Sequence, residues 1–429
     1  MDRMNRFLNI VLIILFLQGC VETFEVETRG FEGLLVVDAK LTDELKRQKV
    51  NLSRARPFEV DSVIAERNAT IRMTSGSGSS HAFQEVSPGL YESLEVFGAS
   101  RGESYQMEIV TADGSTFLSE EVTTPNPSAI EDLHAGRTVK DDGDEGISIM
   151  LNSRGSVNGN SFLRYEYEED YKIIAPDWSP WEFDIVDDDL CDIVVGQAFG
   201  FGVELKPNEN NNRVCYGHRE STDIILADSE NLIGNSVSDY RLRFISKNDF
   251  AITHRYSILV KQVSLNQNAY SYYENLDSFS SNDDVFTSIQ PGFLEGNIRA
   301  ADGISKVVGF FEVSSVRSQR LFFNYTDFFP NENGPPYPIN CTISSPALIP
   351  PGAHCSTAGG ISDGTLGSPL IDGIRAGLYV YYMENLITPE RIAENEGRLG
   401  GLGPFWVKPK ACGDCTELGS NIKPEFWIE

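Results

Sequence analysis

Short runs of apolar residues alternate with polar ones through the early part of this chain, and glycine or proline punctuates them. From Leu34 to Val122 seven such runs occur, at 34–37, 48–53, 69–73, 81–86, 90–96, 105–111 and 117–122. Each is rich in β-branched or aromatic residues, and a period of two puts every second side chain on one face. Gly76-Ser-Gly78, Pro88-Gly89 and Asp113-Gly114 supply turns between them. The spacing predicts an immunoglobulin- or transthyretin-like β-sandwich over residues 34–122. Residues 123–129 contain Pro125 and Pro127, which cannot continue a sheet interior, and read as a linker.

Beyond the linker, residues 130–429 predict a larger β-rich domain with at least one helix. The better strand candidates are 162–174, 241–245, 256–263, 306–313 and 320–324. After Leu265 the period lengthens: Ala269, Tyr272, Tyr273 and Leu276 fall on one helical face, and Asn266 is placed to cap it. This stripe predicts packing against a sheet. Residues 327–369, rich in Pro, Gly, Asn and Ser, predict a long loop.

The N-terminus obeys a different pattern. Arg3 and Arg6 precede the apolar stretch Phe7–Leu17, interrupted only by Asn9. That run is too short for a hydrocarbon core, which needs about 20 apolar residues, but suits a signal peptide. Leu17-Gln18-Gly19-Cys20 resembles a lipobox, although Gln18 stands where a small residue is usual. Residues 1–19 are therefore expected to be removed, Cys20 to carry lipid, and residues 20–33 to form a tether.

A net charge of −28 argues against nucleic acid or an anionic surface as partner, since both would repel the chain. Six cysteines remain after Cys20: Cys191, Cys215, Cys341, Cys355, Cys412 and Cys415. An even count in an exported chain predicts disulfides. Proximity favours Cys191–Cys215 and Cys341–Cys355, the latter holding the 327–369 loop. Cys412-Gly-Asp-Cys415 has the spacing of a redox motif, half a zinc site or a local staple. Pro409 before it and Gly419 and Pro424 after it favour a structural role.

Catalytic patterns are scarce. Gly360-Ile-Ser362-Asp-Gly364 has the letters of a nucleophile elbow, but loop residues flank it where strand and helix are required. The five histidines show no metal-binding spacing. Acidic residues cluster at Asp141-Asp-Gly-Asp-Glu145, Asp187-Asp-Asp189 and Asp283-Asp284; the first lacks the phasing of an EF-hand loop, and all three read as solvated loops, with loose calcium binding as the alternative. Trp178 and Trp181, beside Pro176 and Pro180, read equally as a rigid docking surface for a partner or a sugar and as anchors of their own loop. No cofactor, metal or enzymatic activity is expected.

Several stretches together resemble the DUF4249 family of Bacteroidota lipoproteins. They are 256–265, Ala269-Tyr270 with Tyr273, Glu295-Gly-Asn297-Ile298, Lys306-Val-Val-Gly309-Phe-Phe-Glu-Val313 and Arg320. The tail Cys412-Gly-Asp-Cys415-Thr with Lys423-Pro-Glu-Phe-Trp427 is similar too, as are Leu35-Val-Val-Asp38, Pro88-Gly-Leu-Tyr91 and Gly102-Glu-Ser-Tyr105. The resemblance supplies no catalytic residues. It implies an outer-membrane lipoprotein facing the cell exterior, an accessory or binding partner of a TonB-dependent β-barrel transporter. A surface-tethered hydrolase and a structural envelope protein are the alternatives.

Overall fold

The computed structural model describes residues 33–55, 64–154, 162–188, 202–228, 236–280, 294–348, 355–356, 360–361, 367–386 and 403–429. Cys20, Cys191, Ser362, Asp189, Asp283 and Asp284 lie outside the described residues. No described helix is long and apolar enough to cross a membrane. The chain is mostly β and divides into two compact units. One comprises Met1–Thr124 with Asp283–Val313; the other comprises Pro125–Asn282 with Ser314–Glu429.

The first unit contains all seven expected strands. Leu35–Thr42 pairs antiparallel with Lys49–Arg54, which pairs in turn with Leu90–Ser93. Pairing continues through Ser80–Ser87, Thr70–Ser75, Ser104–Val110 and Thr116–Ser119. Alternation decides which face is buried: Leu35, Val37, Ala39 and Leu41 turn inward, as do Ile71 with Met73 and Met107 with Ile109. These residues from opposite ends of the strand path share one core. Tyr91, fully buried there, satisfies its hydroxyl by donating to Glu66 O and accepting from Ala69 N–H, both at 2.9 Å.

This unit also takes a segment from far along the chain, which corrects the assignment of all residues after 130 to the second domain. Ile298–Ala300 pairs with Thr116–Ser119, and Ile298, Val307, Phe311 and Val313 join the first core. Asn297 fixes the segment by bridging both backbone atoms of Phe311, donating to its carbonyl and accepting from its N–H at 2.8 Å. Gly309 permits the contact: its φ is +120°, and a Cβ would stand 1.9 Å from Val37 O. The Glu295–Ile298 and Lys306–Val313 motifs therefore work as a clasp for the first unit.

In the second unit a three-stranded sheet packs on a larger one. The former is Ala129–Val139, Glu145–Arg154 and Ser236–Ser246. The latter runs Val214–Glu220, Phe162–Ile174, Arg255–Leu265 and the end of Val307–Asn324. Ile147, Ile149 and Leu151 from one sheet meet Leu163, Tyr165, Ile173, Ile258 and Val260 from the other. The acidic cluster at 141–145 forms the first hairpin's turn, with Gly143 at φ +87° and Glu145 paired to Arg137 and Lys247. The helix appears as Gln267–Ser280. Asn266 Oδ1 accepts from Ala269 N–H at 2.8 Å, Ala269 is buried, and Tyr270 packs 5.2 Å from Phe162.

Charge enters this core at Glu169. Glu169, 3% exposed, receives Arg243 Nε at 3.1 Å and the Tyr256 hydroxyl on the same oxygen. On the opposite face of the same strand, Asp170 receives Arg320 at 2.9 Å and meets His218 Nδ1 at 2.7 Å. Bonding to Asp170 raises the His218 pKa above its ordinary 6.5; burial opposes this and Glu220 assists it. A raised folded pKa means stabilisation that is present below about pH 6.5 and fades as pH rises through the folded value. Burial lowers the pKa of His254, which gives the opposite slope, so the whole protein would mix the two. The stability difference between wild type and His218→Gln should therefore be larger at about pH 6 than at about pH 8. Equal differences at both values, read by thermal unfolding, would remove this role.

Candidate functional site

A third, smaller core lies within the second unit, built from two hairpins and a short helix. Trp181–Ile185 pairs with Val203–Pro207, and Tyr379–Glu384 with Phe405–Pro409. The helix Pro369–Arg375 begins at Ser368, whose side chain accepts from Ile371 N–H at 3.2 Å. Val203, Leu370, Ile371, Phe405 and Val407 are buried between these elements. Phe183 stands edge-on to both Tyr381 and Phe405.

Between the hairpins opens a cleft of about 270 Å³. One wall carries Ser179, Trp181, Glu182 and Phe183, continued by Asn208, Asn210 and Asn212. The other carries Tyr379, Val380 and Tyr381, and Lys410, Gly413 and Asp414 close the end. Burial raises the Tyr381 pKa, which keeps its hydroxyl a neutral donor. Glu417, 2.6 Å from the Lys410 ammonium, raises that pKa and holds the charge.

Two disulfides brace the cleft, and neither follows the pairing that proximity favours. Cys215 bonds Cys415 and Cys341 bonds Cys412, with Cα separations of 5.7 and 5.8 Å. Cys191–Cys215 and Cys341–Cys355 are thereby excluded. The reason is topological: the tail meets the strand Val214–Glu220 at Cys215 and an irregular stretch at Cys341, so its cysteines find partners 200 and 71 residues away. Each cysteine of Cys412-Gly-Asp-Cys415 belongs to a different bridge, so the motif is neither a redox pair nor a local staple. The two residues between them, Gly413 and Asp414, line the cleft. Gly413 must be glycine there, because a Cβ would stand 2.7 Å from Val380 Cγ2. Further ties hold this end: Cys415 N–H donates to Asn212 O, Asp177 N–H to Cys412 O, and the Tyr337 hydroxyl to Ala411 O.

Asp177 sits near both Cys341 and Cys412, a grouping that resembles a metal site. The two sulfurs are bonded to each other, however, and Asp177 holds Lys408 Nζ at 2.5 Å. Such sulfurs are not thiolate ligands. The second acidic cluster is also spent in part, since Asp188 pairs with Arg375. A wider hollow of about 510 Å³ near the C-terminus has its charges satisfied: Lys172 bonds Glu429, and Arg255 bonds Ile428 O and Asn324.

The two tryptophans part company. Trp178 packs against the larger core, donates Nε1–H to Asn212 Oδ1 at 2.8 Å and lies under the Arg213 guanidinium. Trp181 is 47% exposed at the edge of the cleft. Trp178→Ala should therefore cost roughly 1–3 kcal/mol of stability through lost packing and one hydrogen bond. Trp181→Ala should stay within about 0.5 kcal/mol, as exposed substitutions usually do. Urea unfolding of the two variants decides the matter; equal losses would put both residues in the fold. Sequence spacing could not separate them, because both stand in one short loop-to-strand passage.

Asn212 went unnoticed in the sequence, and it completes the cleft. It is 8% exposed, and its carboxamide orientation is set by Trp178, whose Nε1–H can only donate. The Asn212 NH₂ group is left facing away from Trp178, with no partner among the described residues. Asn212 also lines the cleft, so this donor is open to water or to a ligand there.

No curated protein matches this chain. A family model does match, over residues 21–320, and bears the description "Domain of unknown function (DUF4249)". The match takes in the clasp of the first unit and the Trp181 wall of the cleft, and ends before the Tyr379–Glu384 wall and the two cysteines at 412 and 415. With well over half its length inside that model, the chain belongs to the DUF4249 family.

Proposed function

We propose that this protein is a binding subunit, tethered to the outer membrane through lipid on Cys20, which takes a ligand at the Trp181 cleft on behalf of a TonB-dependent β-barrel transporter. The observation that carries the reading is the exposed Trp181 on a cleft also lined by Asn212, whose NH₂ has no hydrogen-bond partner among the described residues, with two disulfides pinning its floor. Binding sites join a largely preformed hollow to a few convergent polar groups, and this cleft has that makeup. The transporter rests on the family resemblance. A tether supports it physically, because confinement to one surface raises the effective concentration and lets a weak contact persist.

The cleft carboxylates favour binding over hydrolysis. Glu182 is engaged by Asn210 at 3.1 Å and by Lys206, and Asp414 caps a turn by accepting from Thr416 N–H at 2.9 Å. Neither is set free to shuttle a proton.

The tether is tested with Cys20→Ser. This variant should lose acyl labelling and either stay unprocessed or leave the membrane fraction. Mature protein that begins at another residue, or a variant that remains membrane-bound after processing, would refute it.

A further inference from the structure

We infer that the ligand of the Trp181 cleft is the terminal one or two rings of a neutral saccharide; the inference rests on reading the cleft as a binding site. Size comes first. At about 270 Å³ the cleft lies just under the usual range of small-ligand sites, roughly 300–1,000 Å³, and admits a ring or two rather than a helix or a long chain.

Chemistry narrows the class. The Trp181 indole, 47% exposed, offers one flat apolar face at the edge of an otherwise polar hollow. A pyranose matches that asymmetry, because one face presents C–H groups and the rim presents hydroxyls. The polar groups are of both kinds. Asn212 NH₂ and Lys410 can only donate, whereas Glu182 and Asp414 can only accept. A hydroxyl does both, so a ring of hydroxyls can answer each of them. A hydrocarbon ligand would instead strip water from the hydrogen-bonding capacity these groups keep beyond their present partners. An anion would face two carboxylates against one ammonium that Glu417 already holds at 2.6 Å. A cation would face that ammonium, while both carboxylates are already bonded. Neutral and polyhydroxylated is the combination left.

The test titrates the full mature protein, in detergent, with maltohexaose, cellohexaose, laminarihexaose, mannohexaose and xylohexaose, following tryptophan fluorescence and heat. At least one should bind and perturb the fluorescence. Trp181→Ala should weaken that binding by about tenfold or more, the loss typical of a hot-spot aromatic. Asn212→Asp keeps an acceptor for Trp178 but turns the cleft-facing donor into an acceptor. It should weaken binding similarly, with the folded-state circular dichroism unchanged even where the added carboxylate lowers the unfolding midpoint. No binding by any of the five sugars, or binding indifferent to both variants, would overturn the inference. So would capture of peptides from a tryptic casein digest in a Trp181-dependent manner without saccharide binding. Any of these would remove the saccharide from the cleft but not the tether or the transporter, which stand on acyl labelling and on recovery of a barrel from native membranes.

Discussion

Replacing Cys215 and Cys415 together by alanine should destabilise the second unit by roughly 2–5 kcal/mol while leaving the first unit's unfolding in place. The bridge joins residues 200 apart in sequence. In the chain-entropy model a loop of that length restricts the unfolded chain by about 5 kcal/mol, and measured effects fall at or below such values. Alanine is the right replacement because both cysteines are fully buried, where a serine hydroxyl would add a desolvation cost of its own. The first unit supplies the internal control, for residues 33–124 contain no cysteine. Cys341→Ala with Cys412→Ala should behave alike over its 71-residue loop. The two losses should not add fully, since the loops overlap. Urea unfolding followed by far-UV signal and by a probe in each unit reads the outcome. Peptide mapping without reduction should recover 215 with 415 and 341 with 412. An unchanged midpoint in the second unit would show that packing alone holds the tail beneath the cleft.

Glu169→Ala is expected to cost about 3–5 kcal/mol. Glu169 is 3% exposed, and its removal strands the Arg243 guanidinium and the Tyr256 hydroxyl, which share one of its oxygens. Burial and the neighbouring Glu169 charge raise the Tyr256 pKa well above its usual value, so the phenol stays a donor and needs an acceptor. The Arg243 side chain keeps 29% exposure, which lets water relieve part of the penalty and favours the lower end of the range. Glu169→Gln retains an acceptor for Tyr256 and should cost less than the alanine variant. Tyr256→Phe combined with Glu169→Ala should cost less than the sum of the single changes, because the two share one bond. Additive losses in that cycle would mean that the buried charge is solvated by something other than these partners.

How much of this was legible in the sequence follows from how local each feature is. The seven strands of the first unit could be read because half-buried antiparallel strands alternate residue by residue. The helix at Gln267–Ser280 and its Asn266 cap were legible for the same reason, a periodic signal with a local start. Ile298–Ala300 was not, since three residues carry no period and their partner strand lies near residue 117. The motifs Glu295–Ile298 and Lys306–Val313 could be seen but not understood until Asn297 and Gly309 were found clasping the first unit. The disulfides were misread because proximity along the chain was the one guide available. Half of the cleft was legible as Trp181. Asn212 carried no signal, because its importance arises from a single bond to Trp178 that only the fold creates.

The central claim is that this chain works as the tethered partner of a transporter. It is tested most directly by purifying the tagged protein in mild detergent from its own membranes, beside the Cys20→Ser variant, and identifying what accompanies it by quantitative mass spectrometry. One large β-barrel should be enriched with the wild-type chain and absent with the variant. Recovery of the wild-type protein with no barrel at all would contradict the account and raise the surface-hydrolase alternative.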